Sequence, residues 1–190
     1  LLRQTARDFA QNELLPGVID RDQNKIWPKE QIKKMSDLGF LGMMANPKWN
    51  GGGMDTISYS IAMEEISAVD ASAAVVMSVN NSLVCYLIEH FGNDFQKEKY
   101  LSKLTTGEML GSFGLTEPNA GSDAGNTQTT AILEGDHYIV NGQKAFCTNA
   151  GYAGCIIFTS KIIEDNKELG IGALFVEAGN QGLKIGEPEH

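Results

Sequence analysis

The chain has 190 residues and a formal net charge of −9, with 42% hydrophobic and 21% charged residues. This length is enough for one domain of ordinary size or two small ones, and the composition is that of an ordinary soluble protein. The acidic charge and the lack of a basic cluster argue against nucleic-acid binding. No apolar run reaches the roughly 18 residues of a membrane-spanning helix, so we expect no such helix.

The cysteines and histidines indicate neither a disulfide framework nor a metal site. The cysteines are odd in number, form no CxxC pair and lie in apolar stretches, so we expect free, buried thiols in a reducing compartment. The histidines are far apart in the sequence and show no HxxxH spacing, which argues against a metal centre. These residues are Cys85, Cys147, Cys155, His90, His137 and His190.

Residues 1–107 are predicted to form an all-helical domain. Apolar residues recur at helical spacing in five segments, and prolines, glycines or capping side chains lie at their ends. We expect a kink near Pro16-Gly17, and Asp55 or Thr56, Asp70 and Asp94 can each cap a following helix. The predicted helices cover residues 1–20, 28–38, 57–66, 71–91 and 94–104.

The fourth predicted helix, residues 71–91, is mostly apolar on every side, so we expect its neighbours to bury it. It carries one narrow polar stripe, whose members are spaced to lie on the same face of the helix. The stripe consists of Ser78, Asn81, Ser82 and Cys85. Two explanations remain open: the stripe bonds to neighbouring helices or carbonyls, or the helix lines a slot for a mostly apolar ligand.

Residues 108–190 are predicted to form a β domain. Short apolar segments separated by glycine-rich turns are typical of a small antiparallel sandwich or barrel. Asn141-Gly142 is a strong signal for a two-residue hairpin, and further turns are expected at 134–136 and around Asp165-Asn166. The predicted strands cover residues 109–115, 127–133, 138–140, 145–148, 156–159, 173–176 and 183–185. The segments do not alternate as βαβ units, so a Rossmann domain is not expected.

Residues 113–123 join the two predicted domains with a loop of small residues, hydroxyls and exposed backbone. Pro118 fixes a turn, and Gly121 lets a ligand approach the backbone closely. Thr116 and Ser122 offer hydroxyl groups, and exposed N–H groups can bind an anionic oxygen. These features suit a polar, partly anionic ligand, although an ordinary connection between two domains can have the same composition. The sequence is not the GxSxG turn of a serine hydrolase.

Short motifs spread in order along the whole chain carry a family resemblance. They are Lys34-Met35-x-x-Leu38-Gly39, Gly51-Gly52-x-x-x-Asp55-Thr56, Glu64-Glu65-Ile66-Ser67, Ser78-Val79-Asn80-Asn81-Ser82-Leu83, Gln96-Lys97-x-Lys99-Tyr100-Leu101, Thr116-Glu117-Pro118, Ala120-Gly121-Ser122-Asp123, Asn141-Gly142-x-Lys144 and Thr148-Asn149. In this register the sequence resembles the acyl-CoA dehydrogenase family. Residues 80–83 and 116–121 resemble its short-chain, butyryl-CoA-like branch most closely.

The resemblance implies a helical N-terminal domain, a β middle domain and a second helical domain that has no counterpart in this sequence. With the abrupt start and end of the chain, it predicts a fragment of a longer protein. The family oxidises the Cα–Cβ bond of an acyl thioester to a trans-2-enoyl product, as a glutamate base removes the α-proton and a hydride passes from Cβ to N5 of FAD. In most members that base lies in the C-terminal domain, so no catalytic residue is assigned here, and we expect the fragment alone to be inactive.

The resemblance also implies which residues contact ligands. Thr116 and backbone N–H groups of the loop would lie near the pyrimidine edge of FAD, where reduced flavin gathers negative charge. The family's Trp-Ile-Thr segment is Phe146-Cys147-Thr148 here, and Phe146 can still lie against the flavin. The predicted cofactor-binding residues are Phe113, Gly114, Leu115, Thr116, Glu117, Gly121, Ser122, Phe146, Cys147 and Thr148. The predicted substrate-binding residues are Ser122 for the CoA portion and Val79 and Leu83 for the acyl chain, with a role in the helical core as the alternative for the last two.

The implied partners are an acyl-CoA substrate, an electron transfer flavoprotein as electron acceptor and further copies of the full-length chain in a homotetramer. The implied setting is β-oxidation, in the cytoplasm of a bacterium or the mitochondrial matrix of a eukaryote. Two rival functions remain open. One is an acyl-CoA oxidase-like flavoprotein that passes electrons to oxygen, and the other is a non-catalytic acyl-CoA- or flavin-binding module.

Overall fold

The computed structural model describes residues 1–188 and divides into two compact units, Leu1–Gly111 and the part from Ser112 onward. The first unit is helical, and the second is built on a curled β-sheet. The predicted fold class, a helical first part followed by a β second part, is confirmed. The predicted domain boundary, between residues 107 and 108, lies shortly before the division seen in the structure.

The helical unit consists of α-helices that are in places continued by π-helical segments. Within the described residues the α-helices are α1 (Leu2–Phe9), α2 (Val18–Gln23), α3 (Lys29–Asp37), α4 (Thr56–Ser67), α5 (Ala71–Ser78), α6 (Tyr86–Phe91), α7 (Asp94–Gln96) and α8 (Ser102–Thr105). The π-helical segments are Ala10–Leu14 after α1, Val79–Cys85 between α5 and α6, and Lys97–Leu101 between α7 and α8. Single 3₁₀ turns occur at Phe40–Gly42, Pro47–Trp49 and Ala124–Asn126.

Local sequence signals set most of the helix ends. Asp55 and Asp70 accept hydrogen bonds from backbone N–H groups in the first turns of α4 and α5, as predicted. The predicted cap at Asp94 is wrong, because the residue before it, Asn93, makes a reciprocal capping box with Gln96. The predicted kink near Pro16 is confirmed, and Gly17 adopts a left-handed φ of 74° immediately before α2.

The core of the helical unit is formed by apolar side chains from α1, α3, α4 and α5 and from the segment after α3. Within residues 1–188, one continuous helix, Ala71–Phe91, is long and apolar enough to cross a membrane by length and composition, with a mean hydropathy of 1.6. By length and composition alone, this helix differs from the expectation that no segment of the chain could cross a membrane. However, 56% of this window is buried inside the protein, as in the core helix of a globular domain.

Two buried asparagines in the middle of this helix bond to backbone groups of neighbouring segments. Asn81 donates to Phe40 O at 2.8 Å and accepts from Met43 N at 2.8 Å. Asn80 donates to Leu41 O at 2.9 Å. For Asn81 the structure therefore supports the first explanation of the polar stripe, in which its members satisfy neighbouring backbone groups.

The β unit has one sheet whose strands, within the described residues, are β1 (Gly111–Gly114), β2 (Thr130–Glu134), β3 (His137–Asn141), β4 (Cys155–Glu164) and β5 (Lys167–Glu177). The strand order is β1-β4-β2-β3, and β5 pairs with β4 as well. β2 and β3 are antiparallel, as are β4 and β5, whereas β2 and β4 run parallel over three residue pairs. This parallel pairing makes the sheet mixed, where an antiparallel sheet was expected.

Of the tight turns predicted in the β unit, the structure confirms the one at Asp165-Asn166 but not the one at Asn141-Gly142. Asp165-Asn166 forms the predicted tight turn between β4 and β5, with φ values of 50° and 61° that suit a two-residue hairpin. The predicted hairpin at Asn141-Gly142 is wrong, because β3 ends at Asn141 and the described residues directly after Gly142 form no strand to pair with it. Gly142 instead passes so close to Thr129 that a Cβ would lie 2.3 Å from its hydroxyl oxygen. The strands predicted at 145–148 and 183–185 are also wrong, since both segments are irregular.

Candidate functional site

The loop that follows β1 turns back on itself at Pro118-Asn119. Glu117 N donates to Ala120 O at 3.0 Å, and Ala120 N donates to Glu117 O at 3.1 Å, so the turn is closed from both sides. Ala120 is buried, while Gly121 and the hydroxyl-bearing Ser122 are exposed. A Cβ at Gly121 would meet no atom within 4 Å, which leaves open space beside the backbone at this point.

The side chain of Glu117 is directed into the β unit and is almost fully buried. Its Oε1 accepts from Lys144 Nζ at 2.7 Å, from Thr129 N at 3.0 Å and from the hydroxyls of Thr127 and Thr129. Its Oε2 accepts from Gln128 N at 2.6 Å. Burial alone would raise the pKa of this carboxyl group, but the bonds from Lys144, Thr127 and Thr129 outweigh it and lower the pKa below its ordinary value.

Lys144 connects the loop to the segment that follows β3. Besides Glu117, its ammonium group donates to Leu115 O at 3.1 Å and to Thr159 Oγ1 in β4 at 3.2 Å. The next residue continues the connection, since Ala145 N donates to Thr116 O at 2.8 Å. These bonds hold the carbonyl groups of Leu115 and Thr116, which are two adjacent residues of the predicted cofactor loop.

The second predicted cofactor segment follows directly after Ala145. Phe146 is 72% exposed and has a φ of 54°, a left-handed conformation that is costly for a bulky side chain. Burial raises the pKa of the half-buried Cys147 thiol, and the nearby Lys144 offsets this in part. Thr148 begins a turn and donates its N–H to Phe146 O at 3.1 Å. An exposed ring in a strained conformation is a feature often found where proteins contact a ligand.

The predicted acyl-chain residues both lie on the Ala71–Phe91 helix of the helical unit. Val79 begins the π-helical segment and is buried, whereas Leu83 lies one turn later and is 38% exposed. π-helical segments occur frequently at functional sites. The assignment of these two residues to the substrate stays a prediction, as does the alternative that they belong to the core.

The structure adds polar residues that the sequence analysis did not assign to the site. Lys144, Thr127, Thr129 and Thr159 converge on the inner side of the loop and hold its shape. Only Lys144 carried a signal in the sequence, as the last residue of the Asn-Gly-x-Lys motif. For Glu117, protein donors occupy both carboxylate oxygens, and its backbone N–H and C=O are paired with Ala120, so its contact with the cofactor stays a prediction.

The cysteines differ in burial, and none of them forms a disulfide. Cys85 and Cys155 are buried, and Cys147 is half-buried. Burial raises the pKa of Cys155 to about 12, so this thiol stays protonated at neutral pH. Within residues 1–188, no group of three or more His, Cys, Asp or Glu side chains is placed to hold a metal ion.

Comparison with known families decides what kind of protein presents this loop. Residues 1–108 match the family described as the acyl-CoA dehydrogenase N-terminal domain, and residues 112–190 match the acyl-CoA dehydrogenase middle domain. This chain belongs to the acyl-CoA dehydrogenase family. The family resemblance inferred from the motifs is thereby confirmed over both units.

Individual relatives agree with this membership. The chain is 42% identical over 189 residues to the short-chain-specific acyl-CoA dehydrogenase of Clostridium acetobutylicum, covering 100% of this chain and 50% of that protein. It matches the structure of butyryl-CoA dehydrogenase from Megasphaera elsdenii with 39% identity and a TM-score of 0.90, again covering 100% of this chain and 50% of that one. An acyl-CoA dehydrogenase from Bacillus anthracis, solved in complex with FAD, matches with 33% identity and a TM-score of 0.89 over 100% of this chain and 32% of that one. The chain thus spans about half the length of the curated relative.

Proposed function

We propose that the loop of residues 113–122 and the segment of residues 146–148 bind FAD in an acyl-CoA dehydrogenase. The residues present fit this cofactor. Within residues 1–188 the Thr116 N–H has no hydrogen-bond acceptor, and the Ser122 side chain is exposed without an internal partner. Phe146 presents an exposed aromatic ring, which suits contact with a flat, largely apolar ring system.

The main observation in support of this proposal is that hydrogen bonds within the protein fix the position of the loop. Glu117 and Lys144 hold it from the buried side, so the Thr116 N–H, which lies between Leu115 and Glu117, stays fixed in one direction. Fixed donors stabilise developing negative charge without the cost of reorganisation. When bound, FAD supplies the acceptor for the hydride that leaves the β-carbon of the substrate. The chain's own contribution is to hold, orient and electrostatically tune that acceptor.

The proposed reaction is the α,β-dehydrogenation of a short-chain acyl-CoA to the trans-2-enoyl thioester. We assign Ser122 to the CoA portion of the substrate and Val79 and Leu83 to the acyl chain. No residue of this chain is assigned as the base that removes the α-proton. The similarity to short-chain and butyryl-CoA dehydrogenases supports the substrate class.

We further propose an electron transfer flavoprotein as the electron acceptor and a homotetramer as the assembled enzyme. Both proposals rest on the family membership of the chain. The three free thiols suit a reducing compartment, either the bacterial cytoplasm or the mitochondrial matrix, according to the source.

The test uses the complete gene product, purified and supplied with FAD. Butyryl-CoA, octanoyl-CoA and palmitoyl-CoA are compared as substrates with an artificial electron acceptor under anaerobic conditions. We expect bound flavin and the highest kcat/KM with butyryl-CoA. Rapid peroxide formation in air would instead identify an oxidase. Bound acyl-CoA without turnover would identify a non-catalytic binding module.

A further inference from the structure

We propose that Lys144 is a positioning residue that aims the Thr116 N–H of the loop at the bound cofactor. This inference rests on the proposed FAD site and deepens it, because it names the group that sets the direction of one donor. Lys144 touches neither cofactor nor substrate in this account and acts only through the Leu115–Thr116 peptide.

The Leu115–Thr116 peptide is planar, so a contact that orients its carbonyl group also orients its N–H group. Lys144 Nζ donates to Leu115 O at 3.1 Å, which fixes the direction of the carbonyl group. In a trans peptide the C=O and the following N–H point in opposite directions. No cis peptide occurs within residues 1–188, so the Thr116 N–H points away from the ammonium group.

Lys144 is itself held in place. Its side chain is only 10% exposed, and Glu117 Oε1, Thr127 Oγ1 and Thr159 Oγ1 lie 2.7, 3.1 and 3.2 Å from its Nζ. Acceptors on several segments of the β unit therefore fix the ammonium group. A flexible surface lysine could not impose a direction on a peptide, whereas this one can.

Thr116 is anchored on its other side as well. Thr116 O accepts from Ala145 N at 2.8 Å, so both peptide groups that flank its Cα are held by residues 144 and 145. Within residues 1–188 its N–H is left without an acceptor. A donor that the protein orients but does not use is suited to a ligand atom, here an acceptor on the flavin ring.

The test separates this aiming role from the role of Lys144 in neutralising Glu117. Three variants of the complete gene product are compared with wild type: Lys144→Met, the double variant Lys144→Met/Glu117→Gln, and the control Lys167→Met at an exposed position of β5. For each, the apoprotein is titrated with FAD, the midpoint potential of the bound flavin is measured, and thermal unfolding reports the fold.

We expect Lys144→Met to lower the melting temperature, because Glu117 then remains charged and buried without its cation. The double variant removes that charge and is expected to recover much of the stability. It should still bind FAD about tenfold more weakly than wild type, with a more negative flavin potential, because the Leu115 carbonyl has lost its donor. Lys167→Met should match wild type in all three measurements.

The inference would be overturned if the double variant recovered wild-type FAD affinity and flavin potential along with its stability. Lys144 would then act only by balancing the charge of Glu117. Equal FAD affinity in wild type and Lys144→Met would overturn it as well. Failure of the wild-type protein to bind FAD would instead refute the proposed function, so the two failures are distinguishable.

Discussion

Lys144 Nζ lies 2.7 Å from Glu117 Oε1, and the two side chains are only 10% and 4% exposed. The residues are 27 positions apart in the sequence. Glu117 lies in the loop after β1 and Lys144 in the segment after β3, so the ion pair ties together two segments that the sheet separates. The pair is satisfied by further hydrogen bonds on both partners, which is the condition under which a buried ion pair is tolerated.

Replacement of Glu117 by Ala is expected to destabilise the protein by about 3–5 kcal/mol, because Lys144 is then left charged in a buried position. The N–H groups of Gln128 and Thr129 also lose their acceptor. Urea unfolding monitored by circular dichroism measures the change. The matched control is Glu134→Ala at the exposed end of β2, expected to stay within about 0.5 kcal/mol of wild type. Equal stability of the two variants would show that the buried pair is not what holds the loop.

Part of the loss of folding stability at low pH should arise in the helical unit, where the Glu65 carboxylate accepts hydrogen bonds from Arg7 and Arg3. The bonds from Arg7 and then Arg3 lower the pKa of Glu65 from 4.5 to about 2. Since the folded-state pKa is the lower one, this stabilisation is fully present above pH 4.5 and is lost as the pH falls through about 2. Urea unfolding between pH 5 and pH 2 should therefore show a smaller loss of stability in Glu65→Gln than in wild type.

The control for this pH dependence is Glu98→Gln, which removes an exposed carboxylate from the same unit. It should keep the wild-type slope of unfolding free energy against pH. If Glu65→Gln shows the wild-type slope too, the contacts with Arg3 and Arg7 do not stabilise the fold in solution.

Asn80 should be among the most sensitive polar positions in the helical unit. It is fully buried, donates to Leu41 O and Leu104 O at 2.9 Å each, and accepts from Gly111 N at 2.9 Å. Asn80→Ala leaves these backbone groups unpaired, at a cost of at least about 2 kcal/mol. Asn12→Ala at an exposed position should change the unfolding free energy by less than about 0.5 kcal/mol. A neutral Asn80→Ala would mean that water or neighbouring groups replace the amide.

Substitution by alanine is expected to destabilise the fold at Gly51 but not at Gly121. At Gly51 a Cβ would lie 2.1 Å from Ala45 O, so Gly51→Ala should destabilise the fold by about 1–3 kcal/mol. At Gly121 a Cβ would meet open space, so Gly121→Ala should leave thermal stability unchanged. If a ligand approaches the backbone there, the same variant should weaken FAD or acyl-CoA binding in a titration. Unchanged binding of both ligands would show that Gly121 does not adjoin the site.

The helices and the caps at Asp55 and Asp70 were predictable because their determinants are local. Asp55 and Asp70 act on N–H groups three residues away, and apolar periodicity marks the buried faces of α1, α3 and α4. The Asn141-Gly142 pair was wrongly predicted to form a hairpin, because the same residue types also occur where close packing requires a glycine. Here Gly142 packs against Thr129, and a local sequence pattern does not reveal such a tertiary contact. The parallel pairing of β2 and β4 is likewise a long-range feature without a local signature.

The candidate site was predictable in part for the same reason. The composition of residues 113–122 indicated a ligand-binding loop, and the motifs indicated its family. The inward direction of Glu117 could not be predicted, because it depends on donors that lie 10 to 27 residues further along the chain. Composition reports which groups a loop contains, but only the fold decides which of them are used internally and which remain free for a ligand.

The most direct test of the central claim is amide hydrogen exchange of the complete gene product with and without FAD. The Thr116 N–H lacks an internal acceptor within residues 1–188, so it should exchange readily in the apoprotein. We predict that FAD slows exchange at residues 115–122 and 146–148. Protection confined to other parts of the protein, with these two segments unchanged, would contradict the claim that they hold the cofactor.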